Sequence, residues 1–229
     1  MSSPQRQRAV GLLGSVGPRE LFRLGVRRIW SASVSFGLRA DLDRLPEVRA
    51  ARIPIRMVPR DAKSFDGFTA EASRVSGGDT VEIAQRQELC AGDVRTLYVA
   101  VDDSGEPLYA QWLVRRDEQE PLHRVTKGLF PQLGEGEALV EGAYTFRNAR
   151  KQGAMGDGMG QLLARAREAG DRKVFTYVAE GNIPSLRGCA NVGFVPDHLR
   201  RNVRRLGFRS IRRIPVDEAA QASWDAAVA

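Results

Sequence analysis

The sequence predicts a mixed α/β domain built on one mostly antiparallel sheet of about six or seven strands flanked by helices. Three stretches carry that expectation. "TLYVAVDDSGEPLYAQWLVR" (96–115) holds two runs rich in β-branched and aromatic residues around a polar, glycine-containing turn, the pattern of a β-hairpin. "ALVEGAYTF" (138–146) reads as a strand that leads through a glycine-rich turn into the helical run ending "QLLARAREAG". "KVFTYVAEGN" (173–182) then repeats the step from strand to helix with "PSLRGCANVG" (184–193).

The other elements follow in chain order. "PRELFRLGVRRIW" (18–30) places Leu21, Leu24 and Ile29 toward one side, with Pro18 suited to a first turn, and predicts a short basic amphipathic helix. Such a helix either packs on the domain body or touches a membrane surface or partner. "RADLDRLPEVRA" (39–50) reads as a linker, so residues 1–45 are expected to be a basic extension. "RIPIRMVP" (52–59) predicts a strand, and Pro54 argues for the sheet edge. Two helical segments, 60–75 and 78–92, follow, the second with Asp79 or Thr80 as N-cap and Gly92 near its end. In the 138–146 strand, alternation sets Val140, Tyr144 and Phe146 on one face and Glu141, Ala143 and Thr145 on the other. "FVPDHLRRNVRRLGFRSIRRIPV" (194–216) predicts two strands turning near Gly207. The expected division is an extension, 1–45, a domain, 52–216, and a C-terminal tail, 217–229.

Composition narrows the function. With 42% hydrophobic and 28% charged residues, the 229-residue chain has the makings of one sizeable core. It shows neither an apolar run of the roughly 18–20 residues a bilayer span needs nor a signal-peptide pattern, which predicts a cytoplasmic protein. Cys90 and Cys189 lie far apart, and so do His123 and His198. That leaves little material for a metal site or a Ser/His/Asp triad, and the thiols read as reduced. The formal charge of +7 comes almost wholly from arginine. It is concentrated in residues 1–40 and 197–213, each with seven Arg against one acidic residue, and by itself specifies no nucleic acid.

A strand followed by a glycine-rich turn and a helix presents backbone N–H groups and the positive end of a helix dipole to an anion. Arg150 and Lys151 at the mouth add charge. The segment does not match the two common nucleotide loops. Met159 and Gly160 follow Gly158 where a Walker A loop needs Lys and Ser/Thr, and the spacing of Gly153, Gly156, Gly158 and Gly160 misses GxGxxG.

What it does contain, Arg150-Lys151-Gln152-Gly153-Ala154-Met155, resembles the R/Q-x-x-G-x-G/A pyrophosphate loop of the GCN5-related N-acetyltransferases. "NIPSLRGCANVGF" supplies Asn182, Ser185, Gly193 and Phe194 at the spacing of that family's second motif, N-x-x-A/S followed by G-F. The two motifs cover about 139–194, and the element order extends the resemblance to roughly 52–214. The resemblance implies acetyl-CoA as co-substrate, no metal, and an amine acceptor on a small molecule or protein. It places the pyrophosphate on the loop from Arg150 through Gly156 and the pantetheine arm along Ala143, Tyr144, Thr145 and Phe146. It adds Asn182 and Ser185 to the binding set. Acyl transfer to an amine needs a base, and the resemblance puts that role on the strand, where Glu141 is the candidate and Glu135 and Glu137 compete. The family's thiolate-protonating tyrosine corresponds to Cys189, which is either a proton donor or a packing thiol. Water, Tyr177 and Tyr144 are alternative donors. Met155 stands where the motif prefers a small residue.

Overall fold

The computed structural model describes residues 30–206 and 208–229. The amphipathic helix expected over 18–30 lies outside them, apart from Trp30, which opens a strand. The described elements run β1 (Trp30–Asp41), β2 (Arg56–Asp61), α1 (Gly67–Ala72), α2 (Gly78–Ala91), β3 (Thr96–Val101), β4 (Pro107–Val114) and α3 (Gln119–Thr126). They continue with β5 (Glu137–Thr145), α4 (Ala154–Glu168), β6 (Lys173–Ala179), α5 (Ile183–Asn191), β7 (Phe194–Arg205), β8 (Phe208–Ile214) and α6 (Glu218–Val228).

Eight strands form one sheet in the order β2-β3-β4-β5-β6-β1-β7-β8. All neighbours are antiparallel except β5 and β6. Strand β2 takes an edge as expected, but it begins at Arg56, so Pro54, on which that expectation rested, precedes it and the proline within the strand is Pro59. Helices α4, α5 and α6 cover one face around Phe36, Leu38, Met159, Leu162, Leu163 and Trp224. Helices α1, α2 and α3 cover the other around Phe68, Ile83, Trp112, Leu122, Tyr144 and Phe146.

Three expectations about the limits of the domain change. The extension does not reach residue 45: β1 lies between β6 and β7, in the middle of the sheet, with Phe36, Leu38 and Ala40 fully buried. Its other face includes Ser33, Ser35 and Gly37, small residues that weaken the strand signal. Gly37 is required there, because a Cβ would sit 2.5 Å from the His198 ring. The expected linker over 39–50 completes β1 and then packs, with Leu42 buried and Leu45 and Val48 against the core. The expected C-terminal tail forms α6, capped by Asp217 through the N–H of Ala220 and burying Ala220, Trp224 and Ala227.

The feature that shapes the site is a bulge in β5. Ala110 pairs with Tyr144 while Trp112 pairs with Glu141, so β5 carries one residue more than β4 between them. Gly142 adopts φ +67° at the bulge, where a Cβ would lie 2.7 Å from the Trp112 ring. The extra residue reverses the alternation. Glu141 therefore shares a face with Tyr144 and Phe146, while Val140 shares one with Ala143, contrary to simple period-two reading.

Candidate functional site

Strands β5 and β6 are paired only from Glu137↔Lys173 to Leu139↔Phe175, after which they diverge. Beyond Leu139, β5 keeps its partner β4 but has no ladder on its β6 side, and β6 stays with β1. The result is a V-shaped opening in the sheet, at the mouth of which α4 and α5 begin. A cavity of about 610 Å³ fills it, lined by Glu141, Ala143, Thr176, Tyr177, Asn182 and Cys189 among others.

The glycine loop closes one side of this cavity. Gly153 caps α4 with φ +87°, and no side chain caps that end. The first-turn amides of Ala154, Met155 and Gly156 thus have no partner within the helix. Asp157, the one acid in the first turn, is turned away: its carboxylate accepts from Ala51 N at 2.8 Å and from Gln161 Nε2 at 2.9 Å. Gly156 faces open space, with no atom within 4 Å of a Cβ, whereas Gly158 and Gly160 are packed against Tyr109 and Val48. A second cavity of about 630 Å³ continues past Gln152 and Gly156 between Arg49, Arg52 and Arg187. The bulky Met155 is accommodated by Gly188 on α5, where a Cβ would lie 2.9 Å from its methyl.

Most of the expected residues converge here. Glu141, Ala143, Tyr144, Thr145, Arg150, Lys151, Gly153, Ala154, Met155, Asn182, Ser185 and Cys189 line the main cavity, and Gln152 and Gly156 line its continuation. Phe146 does not join them. Its side chain stacks on Phe68 in the opposite core, and its N–H donates to Leu108 O at 3.0 Å. Glu137 lies at the closed end of the V and accepts from Gly134 N. Asn182 caps α5 by accepting from Ser185 N at 3.3 Å, so both residues order the helix end that borders the cavity.

The electrostatics separate the candidate groups. Glu141 is half-buried, its remaining exposure opening into the cavity, and desolvation raises its pKa despite the opposing fields of Arg200 and Arg86. A carboxylate raised in this way is a better proton acceptor. Cys189 is buried in the core beside Tyr109, and burial pushes its thiol up to about 12. It therefore holds its proton across the ordinary thiol range. Tyr144 is likewise pushed up to about 12 by burial and by Glu71, toward which its hydroxyl lies at 3.3 Å. Arg150 pairs with Asp79 at 2.9 Å across the mouth.

Residues outside the expected site set hold the site in shape. Arg86 on α2 donates to the carbonyls of the bulge, and buried Glu71 accepts from Arg147 N at 3.0 Å. Tyr109 donates to Gln111 Oε1 at 2.6 Å beneath the cavity. The Arg86 and Glu71 contacts link segments distant in sequence, and no local motif announces them.

No protein-family model matches the chain, and no curated protein matches it in sequence. Solved structures do match. An acetyltransferase of the GNAT family from Colwellia psychrerythraea aligns with a TM-score of 0.50 at 13% identity, over 81% of this chain and 61% of that one. The GCN5-related glucosamine N-acetyltransferase region of a fungal multi-domain beta-N-acetylglucosaminidase aligns with a TM-score of 0.52 at 15% identity, over 80% of this chain and 22% of that one. The chain thus spans about three fifths and about one fifth of the lengths of these two proteins. Among the described residues no helix is long and apolar enough to cross a membrane, and no group of His, Cys, Asp and Glu is arranged to hold a metal ion. With the divergence of β5 from β6, the bulge of β5 against β4 and the uncapped glycine loop all in place, the chain has the fold of the GCN5-related N-acetyltransferases.

Proposed function

We propose that the protein transfers an acyl group, acetyl in the first instance, from acyl-CoA to an amine. The observation that supports this most directly is the opening between β5 and β6 with the uncapped α4 N-terminus at its mouth. It offers an unpaired strand edge to an extended amide-bearing arm and free amides to a pyrophosphate. The cradle fits that group: Gly156 leaves open space, and Arg49, Arg52, Lys151 and Arg187 border the continuation.

Bound acetyl-CoA supplies an acyl group on a thioester, which an amine displaces with loss of the thiolate. The protein's own contribution is to position and deprotonate. Glu141 points to the face of the sheet opposite α4 and accepts the proton that the amine must lose, its raised pKa favouring the transfer. Arg86 holds the bulge that aims it. Cys189 keeps its proton and serves as a packing group, which leaves protonation of the thiolate to solvent in the open cleft. That same thiol favours a second reading, a CoA-binding protein without turnover.

Calorimetric titration of the full chain with acetyl-CoA and CoA tests the binding step. Wild type is expected to bind both, and Gly156→Glu neither, because a Cβ there meets no protein atom and the side chain would bring a carboxylate to the pyrophosphate position. Absence of binding to wild type removes the proposal. Binding without CoA thiol release across a broad amine panel selects the second reading.

A further inference from the structure

Behind Tyr177, which lines the cleft, lies a buried positive charge without a hydrogen-bond or ion-pair partner. Arg200, on β7, is only 9% exposed, and its Nε and Nη1 atoms are buried with no hydrogen-bond partner. Its guanidinium lies 4.0 Å from the centroid of Tyr177 and 5.4 Å from that of Phe130. No carboxylate among the described residues comes within ion-pair distance of it, and the one acidic group whose field it feels strongly is Glu141. Cation–π contact offsets only part of the cost of withdrawing a guanidinium from water.

Its neighbours share the deficit. The Tyr177 hydroxyl and His198 Nε2 are also buried without partners. Tyr177 forms a wall of the main cleft and also of a separate cavity of about 430 Å³, lined by Arg39, Lys173, His198 and Arg213 together with Glu137 and Asp197. The two acids there are engaged, Asp197 by Arg39 and His198 and Glu137 by Gly134 N. Arg213 also bears on the Tyr177 hydroxyl electrostatically. The surroundings of Tyr177 are therefore rich in donors and short of acceptors.

Resting on the acyltransferase reading above, we propose that the acceptor is a small amine that also carries an oxyanion, a carboxylate or phosphate, held at Arg200 beside Tyr177 while its amine faces Glu141. The charge arithmetic of the reaction supports this. When Glu141 takes up the amine's proton it becomes neutral, and Arg200 loses the field of its nearest counter-charge. An anion brought by the acceptor is already bound when the proton moves and remains as the counter-charge of Arg200 afterwards. The planar fork of Arg200 suits bidentate contact with such a group. A polycationic acceptor would instead meet Arg200, Arg213 and Arg39 with like charge.

The test uses CoA-loaded full-length protein and matched probe pairs: β-alanine with β-alaninamide, phosphoethanolamine with ethanolamine, and spermidine as the cationic arm. Binding is read by calorimetry and turnover by thiol release. Wild type is expected to favour one anionic probe over its neutral partner by at least tenfold in Kd and in kcat/KM, and which pair shows it distinguishes carboxylate from phosphate. In Arg200→Met that preference is expected to collapse, chiefly through KM, with partial recovery in Arg200→Lys. Equal or stronger use of the neutral probes or spermidine by wild type overturns the proposal, as does binding of CoA with no affinity for either anionic probe. A preference unchanged in Arg200→Met overturns it too. Failure of wild type to bind CoA at all is a different result, which removes the acyltransferase reading.

Discussion

Arg86 Nη2 donates to the carbonyl of Ala143 at 2.7 Å, joining helix α2 to the bulge of the strand that opens the cleft. Its Nε reaches Gly142 O at 3.4 Å, and Nη1 returns to Glu82 O in its own helix at 2.9 Å. One side chain thus satisfies two carbonyls that the bulge removes from the β4 ladder. Replacing it with Met leaves both carbonyls in a half-buried setting without a donor. Arg86→Met should lower unfolding free energy by about 1.5–3 kcal/mol in urea titrations, and reduce kcat more than it raises KM for CoA, since it misplaces Glu141 rather than the loop.

Glu141→Gln should reduce kcat/KM by roughly 10²–10⁴, with loss of the acid limb of the pH–rate profile, if Glu141 is the base. Its effect on folding runs the other way. Desolvation raises the Glu141 pKa above 4.5 in the folded protein, so the fold prefers the neutral group. The stability it contributes is complete below the unfolded value and is lost as pH rises through the raised folded one. Glu141→Gln should therefore be more stable than wild type near pH 7, and the gap should close toward pH 4. Urea unfolding at the two pH values reads this directly.

The sequence exposes this site unevenly, for physical reasons. The glycine loop and the Asn182 cap are local: their chemistry lies within a few consecutive residues, so spacing alone locates them. The hairpin over β3 and β4 is equally local. Strand β1 is not. Gly37 on its polar face is there because the His198 ring lies over it, a constraint visible only once β7 is paired beside it. The bulge is hidden similarly: "EGAY" reads as ordinary alternation until Gly142 has to make way for Trp112. In the sequence Arg200 is one of several arginines that either face solvent on a strand or ring an acidic acceptor, and only the tertiary fold buries it against Tyr177.

The glycines of α4 should respond to alanine with opposite signs. Gly156 has room for a Cβ and an ordinary helical backbone, so Gly156→Ala should stabilise by up to about 1 kcal/mol. At Gly158 a Cβ would lie 2.7 Å from Tyr109 Cδ1, and at Gly160 it would lie 2.9 Å from Val48 Cγ1. Overpacking of this kind costs about 1–3 kcal/mol, which outweighs the gain in helix propensity. Thermal or urea denaturation of the three single variants checks the order. Gly158→Ala should also impair turnover, because it presses on the Tyr109–Gln111 pair beneath the cleft.

Helix α6 should prove part of the core. Trp224 is 5% exposed and meets Phe36 edge-on with ring centroids 5.8 Å apart, while Arg187 Nε on α5 donates to Ala227 O at 2.8 Å. Phe36 belongs to β1, so α6 braces the strand that borders β6, one wall of the cleft, and through α5 the helix that carries Asn182. Trp224→Ala removes a large buried side chain and should cost about 3–5 kcal/mol. Deleting 217–229 should cost at least as much, since it also uncovers Phe36 and removes the acceptor of Arg187. A urea midpoint within error of wild type for either variant would show that α6 is dispensable to the fold, and a CoA titration on Trp224→Ala in the folded baseline would show whether the brace reaches the cleft.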